Sequence, residues 1–169
     1  MPKPITLSKP FPTTEKISPD CVSLKIISPA YASPSGELNT ILQYIYHSFF
    51  FNGKGYKQIG ELLVGIAVAE MHHLDLLGKT IYALGAAPTF TQYPPNFFNF
   101  YSTKFVSSSR TLKEMLEDDI RGERHAISSY KRMLSILKNE AVSEIVSRIL
   151  EDEDLHLELL EKTLVEFRS

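Results

Sequence analysis

The stretch GIAVAEMHHLDLLG, residues 65–78, decides how the rest of the chain is read. It is apolar and rich in helix-forming residues, yet it carries Glu70, His72, His73 and Asp75 in its middle. Followed outward, Ile59, Leu63, Ile66, Glu70, His73 and Leu77 succeed one another at alternating steps of four and three. That is the core seam of a bundle helix. Glu70 and His73 occupy seam positions, whereas His72 and Asp75 fall off it. A Glu-x-x-His pair thus stands where Leu or Ile would normally be.

Three more segments have the same grammar. The spacing predicts helices from Ser35, as N-cap, to about residue 53, from about Tyr56 to Leu84, from about Ser109 to Lys138, and from about Ala141 to Phe167. The last repeats the motif, with Glu153 and His156 on the stripe Val142, Val146, Ile149, Leu160. The third carries Asp119, Glu123 and Tyr130 on the stripe of Leu116 and Ile127, and the first carries Glu37 and Tyr44 on that of Ile41. There is an internal echo. Glu37 precedes Tyr44 by seven residues and Glu123 precedes Tyr130 by seven, each pair followed on the next helix by Glu-x-x-His. Asp152 and His125 read as solvated.

Seven of the ten prolines precede Ser35. Each removes an amide donor and biases its predecessor away from helix. Residues 1–34 are therefore expected to form an extended arm, with a short strand around CVSLKII, and residues 35–169 the helical domain. Short connections join the first two and the last two helices. The connection between them, 86–108, is long, proline-bearing and aromatic, with Phe97 among its rings. A helix of about 28 residues spans roughly 42 Å, a length that this connection can cover. The expected architecture is all-α, an antiparallel four-helix bundle with a long crossover.

At 169 residues the chain supports one domain with a substantial core. A net charge of −2 without a Lys/Arg cluster gives no electrostatic reason to expect nucleic acid or an anionic membrane as partner. Cys21 is the single cysteine, which excludes an internal disulfide and a thiolate metal cage. No apolar leader or long uncharged run is present, so the expected compartment is the cytoplasm.

Four glutamates and two histidines on inward stripes pose an electrostatic problem. Desolvation and mutual repulsion both oppose four carboxylates in one core. Two divalent cations cancel that charge and use the imidazoles, and an oxygen-rich set suits iron or manganese. Tyr44 and Tyr130 read equally as core aromatics or as groups that order a bound oxygen species or donate an electron.

Through GELNTILQY, AEMHH, DDIRGERHAISSY and LEDEDLH, residues 35–167 resemble the ferritin-like superfamily, the group of bacterioferritin, rubrerythrin and manganese catalase. The resemblance implies two Fe or two Mn ions per chain. Glu37 and Glu123 would be terminal ligands, Glu70 and Glu153 bridging ligands, and His73 and His156 would cap one metal each. It matches Tyr44 to a tyrosine near the metals. Asp119 reads as an acceptor for a ligand histidine or as a polar bundle-end residue. Departures narrow the activity. No rubredoxin-like cysteine domain is present, Ala126 replaces the extra carboxylate of rubrerythrins, and Gly122 replaces an arginine of one kind of manganese catalase. A fifth helix of cage-forming ferritins is not expected after Ser169. The leading expectation is an oxidoreductase of hydrogen peroxide or dioxygen, with an external electron donor if it is a peroxidase, in a homodimer. Iron handling, and a structural module stapled by its metals, are the alternatives.

Overall fold

The computed structural model describes residues 2–96 and 98–168, so Phe97 of the aromatic connection and Ser169 of the helical domain lie outside the described residues. Among those described, five α-helices form: α1 (Cys21–Ala32), α2 (Glu37–Gly53), α3 (Lys57–Ala83), α4 (Leu112–Ile136) and α5 (Glu140–Arg168). A single 3-10 turn, Thr103–Phe105, lies in the crossover.

The four long helices build the bundle. The α2–α3 turn needs Gly55, whose φ of 88° lies in the left-handed region, and α3 stops at Gly85, whose φ is 96°. A capping box starts α4. Thr111 Oγ1 accepts from Glu114 N at 3.2 Å, and Glu114 Oε2 accepts from Thr111 N at 3.1 Å. Because their connections are short, α2/α3 and α4/α5 are antiparallel hairpins, and these meet through α2 with α4 and α3 with α5. Gly36, not Ser35, is the N-cap of α2.

Residues 21–32 overturn the expected extended arm and its strand. They form α1, capped by Asp20, whose side chain accepts from Val22 N and Ser23 N. Leu24, Ile27 and Tyr31 follow helical spacing and are buried, and α1 packs on α3 in one core cluster with Leu77 and Ile81. That burial offsets the helix hydrogen bond lost at Pro29. Residues 2–20 carry no helix or strand.

The crossover runs as a belt. Tyr93 N donates to Ser28 Oγ of α1 at 2.9 Å, Tyr101 Oη to Asn39 Oδ1 at 3.0 Å, and Ser107 N to Gln43 Oε1 of α2 at 3.1 Å. Along the bundle axis two apolar layers form. One contains Phe51, Leu63, Ile66, Leu116 and Leu160, the other Leu77, Tyr130, Ile145 and Ile149. Between Ile66 and Leu77, Leu116 and Ile127, and Ile149 and Leu160 lie Glu70, His73, Glu123, Glu153 and His156. The polar residues are sandwiched by hydrophobic packing. Among the described residues no helix is long and apolar enough to cross a membrane.

Candidate metal centre

The stripes read from the sequence converge at this polar layer. Glu37 from α2, Glu70 and His73 from α3, and Glu153 from α5 each offer a ligand atom within 4.8 Å of the others; Glu70, Glu123, Glu153 and His156 form a second such group. Glu70 and Glu153 belong to both. All six side chains are buried, none more than 3% exposed. His73 Nδ1 lies 2.8 Å from Glu70 Oε2 and 3.1 Å from Glu153 Oε1. His156 Nδ1 lies 2.9 Å from Glu70 Oε1. Both histidines therefore turn the same ring nitrogen inward.

Their outer nitrogens are held differently. His73 Nε2 donates to Asp152 Oδ2 at 3.1 Å, and His156 Nε2 donates to the carbonyl of Ile5 at 2.7 Å. A proton held on Nε2 leaves the Nδ1 lone pair available as a ligand. Asp152 is wholly buried, which corrects its reading as a solvated residue. It also accepts from Leu7 N at 2.8 Å and pairs with Arg148 Nη1 at 2.8 Å. The helical period put Asp152 off the bundle seam, but α5 has a second covered face, under the N-terminal segment. His125 is exposed, as its position implied.

Asp119 is a further correction. It is buried, yet its partners are His47 Nδ1, at 2.9 Å and 3.0 Å from its two oxygens, and Gln43 Nε2 at 2.9 Å, not His73 or His156. Its position four residues before Glu123 puts it one turn along, level with His47 of α2 instead of the two histidines of the cluster. The sequence reading missed His47, Arg148 and the N-terminal backbone. A sequence signal existed for one: Arg148 stands one turn before Asp152.

The tyrosines cross between the halves. Tyr44 Oη donates to Glu123 Oε1, and Tyr130 Oη donates to Glu37 Oε1. Burial first, then the neighbouring Glu123 and Glu37 respectively, pushes both phenols well above their ordinary value, so both keep their protons.

Electrostatics divides the cluster. Burial, then repulsion from Glu70 and Glu153, raises the Glu37 carboxyl well above the usual range; burial, Glu153 and Glu70 do the same to Glu123. For Glu70, burial is outweighed by His73 and His156, which hold it low. Both imidazoles are raised, because Glu70 and its neighbours outweigh the desolvation that opposes their charge.

The donor set fits a pair of metal ions on an independent observation. Glu123 Oε2 is buried without a hydrogen-bond partner, and Glu70 Oε1, Glu153 Oε1 and His156 Nδ1 lie 2.9 Å or 3.1 Å from a facing imidazole or carboxylate atom without the alignment of a hydrogen bond. Buried polar atoms are normally satisfied. Four lone-pair-bearing atoms left facing one another are what metal coordination would use.

The description of the ferritin-like domain as a family matches residues 35–169. The chain belongs to the ferritin-like family. This ferritin-like chain is 29% identical over 132 residues to a bacterioferritin of Brucella melitensis, covering 76% of the chain and 75% of that protein. With a bacterioferritin of Desulfovibrio desulfuricans the identity is 25% over 136 residues, 79% and 70% of the two chains. Among solved structures, a manganese catalase from Anabaena superposes with a TM-score of 0.83 at 20% identity, covering 95% of this chain and 78% of the other. Mycobacterium tuberculosis bacterioferritin gives 0.74 at 21%, covering 90% and 89%. At these identities the superpositions establish the shared fold.

Proposed function

We propose that this ferritin-like protein is an oxidoreductase that turns over hydrogen peroxide or dioxygen at a carboxylate-bridged pair of iron or manganese ions. The observation that carries the reading is the convergence of four carboxylates and two inward Nδ1 atoms in a buried layer, with four of those atoms making no aligned hydrogen bond. Glu37 and His73 would hold one ion, Glu123 and His156 the other. Glu70 and Glu153, members of both ligand groups, would bridge them. Such a pair supplies Lewis acidity and a two-electron redox couple.

The chain's own residues provide the rest. Tyr44 and Tyr130 donate their phenol protons to one oxygen of Glu123 and Glu37, which fixes the orientation of each carboxylate, and the second oxygen of Glu123 is left without a partner. The phenols and the Glu37 and Glu123 carboxyls, all with raised proton affinity, are resident proton donors at the layer. Apolar layers on both sides exclude bulk water and strengthen every charge interaction inside. A cleft of about 150 Å3 between α1, α2 and α4 is lined by Glu37, Ala126, Tyr130 and Met133.

Similarity to proteins named bacterioferritin favours a second reading, ferrous oxidation for iron handling, at the same residues. Two measurements divide them. Reconstituted protein should bind two Fe or Mn per chain and consume peroxide catalytically, with dimer-sized mass on size exclusion. A many-subunit shell that accumulates ferric mineral would favour iron handling, and loss of both metal uptake and turnover would remove the first reading.

A further inference from the structure

The internal echo makes one asymmetry visible. Glu70 and His73 correspond to Glu153 and His156, so Ala69 corresponds to Asp152, and Gly65 to Arg148. In the second half, Arg148 and Asp152 pair with each other, and Asp152 reaches across to the outer nitrogen of His73. The first half has neither side chain. There the N-terminal segment runs across α3. Ile5 N donates to Gly65 O at 3.0 Å, and Ile5 O accepts from His156 Nε2 at 2.7 Å.

We infer that residues 3–11 are a positioning strap for the metal centre, in which the Ile5 carbonyl takes on His156 the role that Asp152 takes on His73. The inference rests on the metal-centre reading above. Gly65 is the condition for the strap's approach, since a Cβ there would stand 2.8 Å from Ile5 Cγ1 and 3.2 Å from the Lys3 carbonyl. The strap continues onto α5. Leu7 N donates to Asp152, Arg148 donates to the carbonyls of Leu7 and Lys9, and Phe11 lies under the Arg148 guanidinium, 4.4 Å from ring centroid to Cζ. The Phe11 ring meets the His73 ring edge-on with centroids 6.0 Å apart. One segment thereby bears on the outer side of both histidines.

The consequence is a centre of unequal halves. A carboxylate behind an imidazole raises its basicity more than a neutral carbonyl does. The position served by His73 is therefore the tighter, and that served by His156 is the one whose outer hydrogen-bond partner the strap itself supplies.

The test is titration of the metal-free, full-length protein with Co(II), following its ligand-field absorption, with circular dichroism reporting the fold. Wild type is expected to take two Co(II) in distinguishable steps. Ile5→Pro removes the N–H that pins the carbonyl to Gly65 and changes no residue within a helix. Gly65→Val dislodges the strap from the helix side and covers the case in which one variant fails to fold. In either, the weaker step should weaken by about tenfold or more, and by more than the stronger one does. Adding Ala69→Asp, which supplies a carboxylate at the position equivalent to Asp152, should restore it. Two unchanged steps in a folded variant, or equal weakening of both that Ala69→Asp does not relieve, would overturn the strap while leaving the metal centre standing. Wild type that binds no Co(II) would overturn both.

Discussion

Asp152 divides two carboxylate oxygens among three donors, the backbone N–H of Leu7, the guanidinium of Arg148 and the imidazole of His73. Burial would raise its carboxyl, but His73, Arg148 and Leu7 outweigh that and hold it low, so it stays an acceptor. Asp152→Asn keeps the shape and turns one acceptor into a donor, which must then face another donor. The expected loss is about 1–3 kcal/mol of metal-free stability, the cost of one buried unsatisfied group, read by urea unfolding. Metal affinity of the His73 position should fall by about 10- to 100-fold in a Co(II) titration. Unchanged unfolding and unchanged binding would mean that the arrangement of these donors is incidental. Residue identity was legible here, but role was not. Helical period assigned Asp152 to solvent because period describes one buried stripe, and α5 has two.

At the scale of elements, α1 reaches α2 through residues 33–36, and Gly36 fits because it has no side chain. A Cβ there would lie 2.5 Å from the Ala30 carbonyl oxygen and 2.8 Å from that of Pro29. Both obstacles are backbone, which cannot swing aside. Gly36→Ala should therefore cost about 1–3 kcal/mol, as overpacking does, measured as a lower midpoint in urea with an unchanged slope. Wild-type stability in that variant would mean that α1 is free to shift. Proline count predicted an arm in this region, and the helix formed nonetheless. The Asp20 cap and the burial of Leu24, Ile27 and Tyr31 on α3 supply what propensity withholds. The helices of the bundle were legible to within about three residues at their ends because each carries its own seam and breaker signals.

For the whole molecule, the acidic layer sets a pH dependence. Folding raises the proton affinity of Glu37, Glu123, His73 and His156 above their ordinary values near 4.5 and 6.5. Over the range between ordinary and raised values the native metal-free state binds more protons than the unfolded chain, so its stability falls as pH rises. The stability the histidines contribute is complete below 6.5 and is lost as pH climbs through their raised values. Glu70 and Asp152, held low, act in the opposite sense, and theirs is lost only as pH falls below the ordinary carboxylate range. The melting temperature of the metal-free protein should accordingly decline from about pH 5 to about pH 8, in scanning calorimetry with chelator present. Metal must displace those protons, so its affinity should rise over the same interval. A melting temperature that climbs over that interval without metal would contradict the electrostatics of the layer.

The sequence by itself determined the all-α bundle with its crossover, and it marked the six side chains that meet in the buried layer. Those are properties of periodicity, which a helix carries locally. Only the tertiary structure decided that residues 21–32 coil into a helix, that Asp119 serves His47 and Asp152 serves His73, and that the Ile5 carbonyl meets His156. Each of these depends on which surfaces lie opposite one another after folding, and a backbone carbonyl such as that of Ile5 has no residue type by which a sequence could announce it.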